Sequence, residues 1–321
     1  MSVDRCIAAY SRLGREVFGE PRGKGHTHMF DEKKLEEAIK RTIREELGEG
    51  HEDDPLLDPL GDDACKTVVF TLPSAHPNRV EPKALRTYAS EHENALPCTI
   101  WQAARATAAA PTFFKPLELG EPPNITKWID AGMGFNNPSK ALRKEAGRIW
   151  GDDYGQMDFN SRVGLFLSIG TGFPRIIRLD ANTIAERISK KFQVPLKAVE
   201  VMKAIVTDTE TVHNDMRSDS DQTMYHRFNV EQGLQEVQLF EYEKLEEIRT
   251  DSEAYLTVCE YDITRCAARM SELPVKAPLL ASNKEQQQEM FRNGGGVGDQ
   301  DLEKRLKQLG MYALPVVPKN L

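Results

Sequence analysis

Apolar residues recur at helical spacing over residues 1–18, with Ile7, Tyr10, Leu13 and Val17 on one stripe before the breaker Gly19-Glu20-Pro21. The pattern predicts a helix from Met1 to Phe18. A second stripe, Leu35, Ile39, Ile43 and Leu47, is flanked by charges and closed by Gly48, which predicts an amphipathic helix over Asp31–Leu47. The apolar, β-branched run Cys65–Leu72 has the character of a strand buried on both faces, and Ala84–Ser90 suits a second strand. Ile125–Ile129 and Gly164–Ile169 add two more. Thr99 with Gln102 fits a capping box, in which hydroxyl and amide each satisfy an orphan backbone N–H. The alanine-rich stretch behind it predicts a thin helix with Trp101 as its bulky anchor. Pro111 ends that helix by pushing Ala110 out of the α region.

Helices alternating with strands predict an α/β fold, a three-layer α/β/α arrangement with a largely parallel central sheet, in which functional residues lie at the carboxyl ends of strands. Asp130 stands at such an end, ahead of the turn Ala131-Gly132-Met133-Gly134. An ordinary turn or capping aspartate is the bland alternative. Asn137 is placed to cap a following helix whose first residue is Pro138. Beyond Thr171 the chain is more polar, with helical stretches at Ala181–Phe192, Lys197–Met216 and Asp251–Met270 and a strand-like run at Met224–Val230. Two units of organisation follow: residues 1–270 as the folded domain and 271–321 as a loosely attached polar tail.

Composition narrows the partners. The 321 residues are 40% hydrophobic and 29% charged, enough to bury a core, and the net charge of −8 argues against duplex nucleic acid, which needs a basic face. The five cysteines, Cys6, Cys65, Cys98, Cys259 and Cys266, are scattered, odd in number and without a C-x-x-C pair, so they suit a reducing compartment. No apolar run of about 18 residues is present. Cytoplasm is the expected location. His26 and His28 have the spacing of two metal ligands on an extended chain but lack a third, and the acidic loop Glu49–Asp63 is interrupted by Pro55 and Pro59 and reads as solvated. No metal or other cofactor is expected. His213 and Asp215 are two apart in a helix and face different ways, which argues against a relay.

Ala110-Pro111-Thr112-Phe113-Phe114, Ile129-Asp130-Ala131-Gly132 and Asn136-Asn137-Pro138, in that order, resemble the C-terminal part of a patatin-like phospholipase domain, especially the fungal type. Phe166-Leu167-Ser168-Ile169-Gly170-Thr171-Gly172 looks like that family's next strand and glycine turn. The likeness is clearest over residues 60–175. It implies a patatin-like fold, a lipid acyl hydrolase acting through a Ser–Asp dyad, Asp130 as the catalytic base with Ala131 and Gly132 as its turn, and a phospholipid or other acyl ester as substrate. Contact with the periphery of a membrane is implied by the resemblance alone. Ala131 departs from the family's first glycine, which bears on a turn that needs positive φ.

The family's serine sits in a G-x-S-x-G elbow, upstream of the matched region together with a glycine-rich oxyanion loop, and this sequence contains no G-x-S-x-G. The chain therefore reads as an N-terminally truncated patatin-like domain with no nucleophile of its own, inactive alone. Ser168 is a poor substitute, since S-x-G-x-G lacks the elbow's preceding glycine, and Gly294-Gly295-Gly296 follows a polar stretch and reads as a connector. The alternative is a non-catalytic pseudoenzyme or interaction domain of a fungal signalling protein. Loss of upstream strands would leave open sheet edges, so poor solubility is expected of the chain alone.

Overall fold

The computed structural model describes residues 1–23, 26–57, 65–75, 81–150, 163–172, 209–218, 224–234, 237 and 240–272. The chain divides into two compact units, one formed by Met1–Arg12 with Pro274–Leu321 and the other by Leu13–Leu273. The 271–321 tail beyond Glu272, the glycine run at 294–298 and the helix expected at Ala181–Phe192 lie outside the described residues.

The first elements are α1 (Val3–Phe18) and α2 (Glu32–Leu47). Asp31 caps α2 by accepting from the Lys33 N–H, and Gly48 closes it with φ 106°, a left-handed conformation that glycine adopts without a Cβ penalty. The stripe on α1 is used only toward its end: Val17 is fully buried, whereas Ile7 and Tyr10 are exposed. Val17 joins Phe30, Leu35, Ala38, Phe113 and Phe114 in an aromatic-rich cluster. Phe18 meets Phe30 edge-on at 4.9 Å between ring centroids, and Phe30 stacks on Phe113 at 5.9 Å. Each such buried aromatic contributes about 1.5–3 kcal/mol relative to exposure. The segment 111–114, which shows no regular pattern in sequence, is thereby fixed against both helices.

The main sheet holds β1 (Val68–Pro73), β2 (Lys83–Arg86), β3 (Leu117–Leu119) and β4 (Thr126–Asp130), in the spatial order β2-β1-β4-β3. All three pairings are antiparallel. The expectation of a largely parallel central sheet is corrected here. β1 and β2 are antiparallel neighbours consecutive among the described elements, and α3 (Ile100–Thr107) packs against β1, β3 and β4 without serving as a right-handed crossover between parallel neighbours. β3 lies in a stretch for which the sequence pattern offers no strand. Its partner β4 extends one residue beyond the expected strand, so Asp130 is the last strand residue and pairs with Thr71.

α3 begins with the expected capping box: Thr99 Oγ1 accepts from Gln102 N–H at 3.3 Å and Gln102 Oε1 accepts from Thr99 N–H at 2.9 Å. It ends at Thr107, before Pro111, through the bonds Ala108 N–H to Ala104 O and Ala109 N–H to Ala106 O. Its small face is buried, Ala103 and Ala106 packing with Leu85, Leu119 and Trp128. Trp101 stays at the rim, where its Nε1–H donates to Asp53 and Lys40 lies over its ring. Asp53 therefore belongs to an anchored segment: Leu56 N–H bonds Cys98 O, Ile100 N–H bonds Asp54 O, and Glu52 pairs with Arg44. The described part of the acidic loop is tied to the start of α3 rather than simply solvated.

After β4 come a single turn, α4 (Gly132–Phe135), and α5 (Ser139–Trp150). Asn137 Oδ1 accepts from both the N–H and the Oγ of Ser139, the capping role expected of it. A smaller parallel pair, β5 (Phe166–Ile169) with β6 (Tyr225–Phe228), is covered by helix α6 (209–218) through Val212 and Met216. The last helical stretch is two elements, α7 (Leu245–Val258) and α8 (Glu260–Glu272), broken at Cys259.

Candidate active site

Asp130 sits where β4 runs out. Its backbone N–H donates to Ala109 O at 3.1 Å, which ties the end of the strand to the exit of α3. On the neighbouring strand Thr71 is fully buried and its Oγ1 donates to Ile129 O at 2.6 Å, so the peptide preceding Asp130 is held from the side as well. Leu72, Ile129 and Ala131, with Phe70 and Phe135 against them, form the apolar cluster around this corner.

One hydrogen bond reaches the Asp130 carboxyl from the described residues: Gly132 N–H to Oδ1 at 2.8 Å. No described cation forms an ion pair with it. Burial therefore dominates, and it pushes the Asp130 carboxyl above the usual carboxylate range despite the Gly132 bond, which pulls the other way. A carboxylate raised in this manner is a better proton acceptor than a surface aspartate.

The turn residues expected from the sequence stand where they were placed, for a different physical reason. Ala131 has φ −76° and ψ −7°, ordinary right-handed backbone, so no positive φ is demanded at the position and alanine fits without strain. Glycine matters next door. A Cβ on Gly132 would lie 3.3 Å from Asp130 Oδ1 and 3.6 Å from Cγ, so the small residue leaves room for the carboxyl to fold back on its own turn.

The other candidate residues are engaged elsewhere. Ser168, buried in β5, accepts from Arg227 Nη1 at 2.7 Å and lies 3.2 Å from Ser139 Oγ. Among the described residues no carboxylate or imidazole is hydrogen-bonded to it, so it lacks the base a nucleophilic serine needs. His213 Nδ1 meets Tyr225 OH at 3.1 Å while Asp215 pairs with Lys140, two separate engagements. His28 Nδ1 contacts Thr27 Oγ1 at 2.9 Å, and among the described residues no three His, Cys, Asp or Glu side chains come together.

Several positioning contacts escaped sequence reasoning. Asn136 Nδ2 donates to Thr209 Oγ1 at 3.1 Å and Asn137 Nδ2 to Thr209 O at 3.2 Å, clipping the turn after Asp130 onto α6. The pair of adjacent asparagines is a visible signal, but its partner is remote in sequence. Thr112 has φ 72° and a buried Oγ1 without a hydrogen-bond partner among the described residues, while its carbonyl accepts from Met29 N–H. Arg105 is 1% exposed, with Nη2 donating to Lys115 O and the guanidinium facing Phe114.

Residues 2–143 match the family model of patatin-like phospholipase. The matched segment holds Asp130, its turn and both asparagines. Over 244 residues the chain is 27% identical to calcium-independent phospholipase A2-gamma of Mus musculus, covering 71% of this chain and 28% of that protein. The same-named protein of Homo sapiens is 26% identical over 290 residues, 85% of this chain and 33% of its own length. The chain thus spans about a third of the curated relatives it matches. Among the described residues no helix is long and apolar enough to cross a membrane.

Proposed function

We propose that this chain carries the general-base half of a patatin-type lipid acyl hydrolase, with Asp130 as the base of a Ser–Asp dyad and a phospholipid or related acyl ester as substrate. The observation that carries the reading is a largely buried strand-end carboxyl with no cation paired to it among the described residues, one oxygen held by the Gly132 amide, inside a segment matching the patatin-like phospholipase model.

In the reaction this reading implies, a serine hydroxyl attacks the acyl carbonyl as its proton passes to Asp130. The tetrahedral oxyanion requires backbone N–H donors, each worth about 3–4 kcal/mol in the transition state. The proton then moves from Asp130 to the departing alcohol, and water repeats the sequence to release the fatty acid. The carboxyl needs no histidine intermediary, because burial already raises its basicity. A lipid substrate brings the protein to the periphery of a membrane.

The 321 residues contain no G-x-S-x-G, and we infer that they hydrolyse no ester by themselves. Release of fatty acid from phosphatidylcholine vesicles should be absent from the 321-residue polypeptide. It should be present in the protein isolated from its source if that protein carries the serine, and lost there on Asp130→Asn. Inactivity of a source protein that carries G-x-S-x-G would sink the hydrolase reading. A source protein without that motif favours the non-catalytic alternative, an interaction module with a hydrolase-like shape.

A further inference from the structure

Arginines from three separate elements converge on one cleft: Arg217 from α6, Arg227 from β6 and Arg265 from α8. The cleft encloses about 310 Å³, enough for a phosphate group with a small alcohol attached, and is walled in part by His213 and Tyr255. Asp262 is its one acidic lining residue, 4.0 Å from Arg265. The formal balance of these arginines against Asp262 is cationic, in a chain whose net charge is −8. A local reversal of sign on that background concentrates anions.

Arg227 is already aligned. Its Nη1 donates to Ser168 at 2.7 Å, and the guanidinium is packed so closely on Gly170 that a Cβ there would meet Nη2 at 2.8 Å. Its Nε is buried and has no hydrogen-bond partner among the described residues, so the guanidinium is held by Ser168 and by packing while its residue lines the cleft. Arg217 forms no ion pair with any described residue and lies near enough to His213 that, after burial, its charge and that of Arg227 help hold the imidazole neutral. Glu210 acts on His213 in the opposite sense but does not line the cleft.

We propose that this cleft is a binding site for a phosphate monoester, with Arg227 as the fixed fork and Arg217 and Arg265 as the mobile clamps. Arginine suits the task because its planar donors match phosphate oxygens in pairs. Tyr225, Phe228 and Tyr255 offer apolar surface to the group esterified to the phosphate. The proposal does not rest on ester hydrolysis at Asp130, and no atom of that carboxyl enters it.

Calorimetric titration of the full 321-residue chain with inorganic phosphate at constant ionic strength tests the site. Saturable binding is expected, weakened at least tenfold in the doubly substituted Arg217→Gln, Arg265→Gln protein, whose altered side chains are exposed. Arg249→Gln, on the outer surface of α7, should leave it unchanged. Arg227→Lys keeps the charge but removes the fork and should also weaken binding. Flotation with phosphatidylcholine vesicles, with and without about one-fifth phosphatidic acid, separates the sources of the phosphate. Retention that needs phosphatidic acid and is lost in the double variant identifies a lipid headgroup; phosphate binding without retention identifies a soluble ester. Absence of both, equal binding by the double variant, or equal loss in Arg249→Gln overturns the proposal.

Discussion

The backbone N–H of Gly132 donates to Oδ1 of Asp130 at 2.8 Å, and a methyl group on the same glycine would stand 3.3 Å from that oxygen. The residue that stabilises the carboxylate is thus also the one that makes room for it. Ala131, between them, needs neither property.

Gly132→Ala should therefore displace the carboxyl by a few tenths of an ångström and weaken its one backbone bond. Because that bond lowers the Asp130 pKa against the effect of burial, its loss should raise the pKa further. Titration followed by carboxyl-carbon NMR checks the shift. The cost to folding should stay near 1 kcal/mol, the worth of a single hydrogen bond.

Asp130→Asn should stabilise the fold at pH 7. The folded carboxyl titrates above its unfolded value, so the folded state holds its proton more tightly and stability falls as pH rises from about 4 to the folded pKa. Above that window the penalty is constant. Asparagine keeps an acceptor for the Gly132 amide and carries no charge. Thermal melts should place the variant above the parent at pH 7, with the difference closing toward pH 4; a variant that melts lower at pH 7 contradicts the assignment.

Glu145→Ala should cost about 2–3 kcal/mol, below the full cost of an unpaired buried charge, since Arg86 loses its buried partner but keeps the more exposed Glu93, 3.0 Å from Nη2. Glu145 and Arg86 side chains are each 3% exposed and meet through two bonds, Nη2 to Oε2 at 2.9 Å among them, with Tyr88 OH donating to Oε1 at 3.0 Å. Burial raises the Glu145 pKa, but Arg86 more than offsets it and the net direction is down. Its contribution is then present above the ordinary carboxylate range and lost as pH falls through the folded value. Lys144→Ala, one position away in an ion pair 54% and 71% exposed, should change stability by a few tenths of a kcal/mol at most. Urea unfolding of the two variants distinguishes a buried linkage between β2 and α5 from a general effect of the helix.

Thr112→Gly should raise stability by up to about 1 kcal/mol. It releases a threonine from left-handed backbone, at a cost of about 1–2 kcal/mol, and removes a buried hydroxyl without a partner, against the greater chain entropy of glycine. Thr107→Gly in α3 should instead destabilise. Equal losses in both would show that the Thr112 conformation carries no strain.

Much of the local structure was legible along the chain. Hydrophobic period gave α1 and α2, the Thr99–Gln102 pair gave the start of α3, and a strand leading into a glycine turn gave Asp130 its place. These are interactions between residues a few positions apart, so the sequence contains both partners. Strand direction is another matter. Whether β1 and β4 run parallel or antiparallel depends on how the chain crosses the sheet between them, and their side-chain period is the same either way. The alternation of helices and strands suggested crossovers that the antiparallel order β2-β1-β4-β3 does not contain. The raised pKa of Asp130 was likewise beyond the sequence, since it follows from burial by residues distant along the chain. So was the clustering of Arg217, Arg227 and Arg265, brought together from a helix, a strand and a second helix. Sequence determined where Asp130, its turn and the local caps stand along the chain; only tertiary packing decided their dielectric surroundings and their company, because both depend on neighbours distant along the chain.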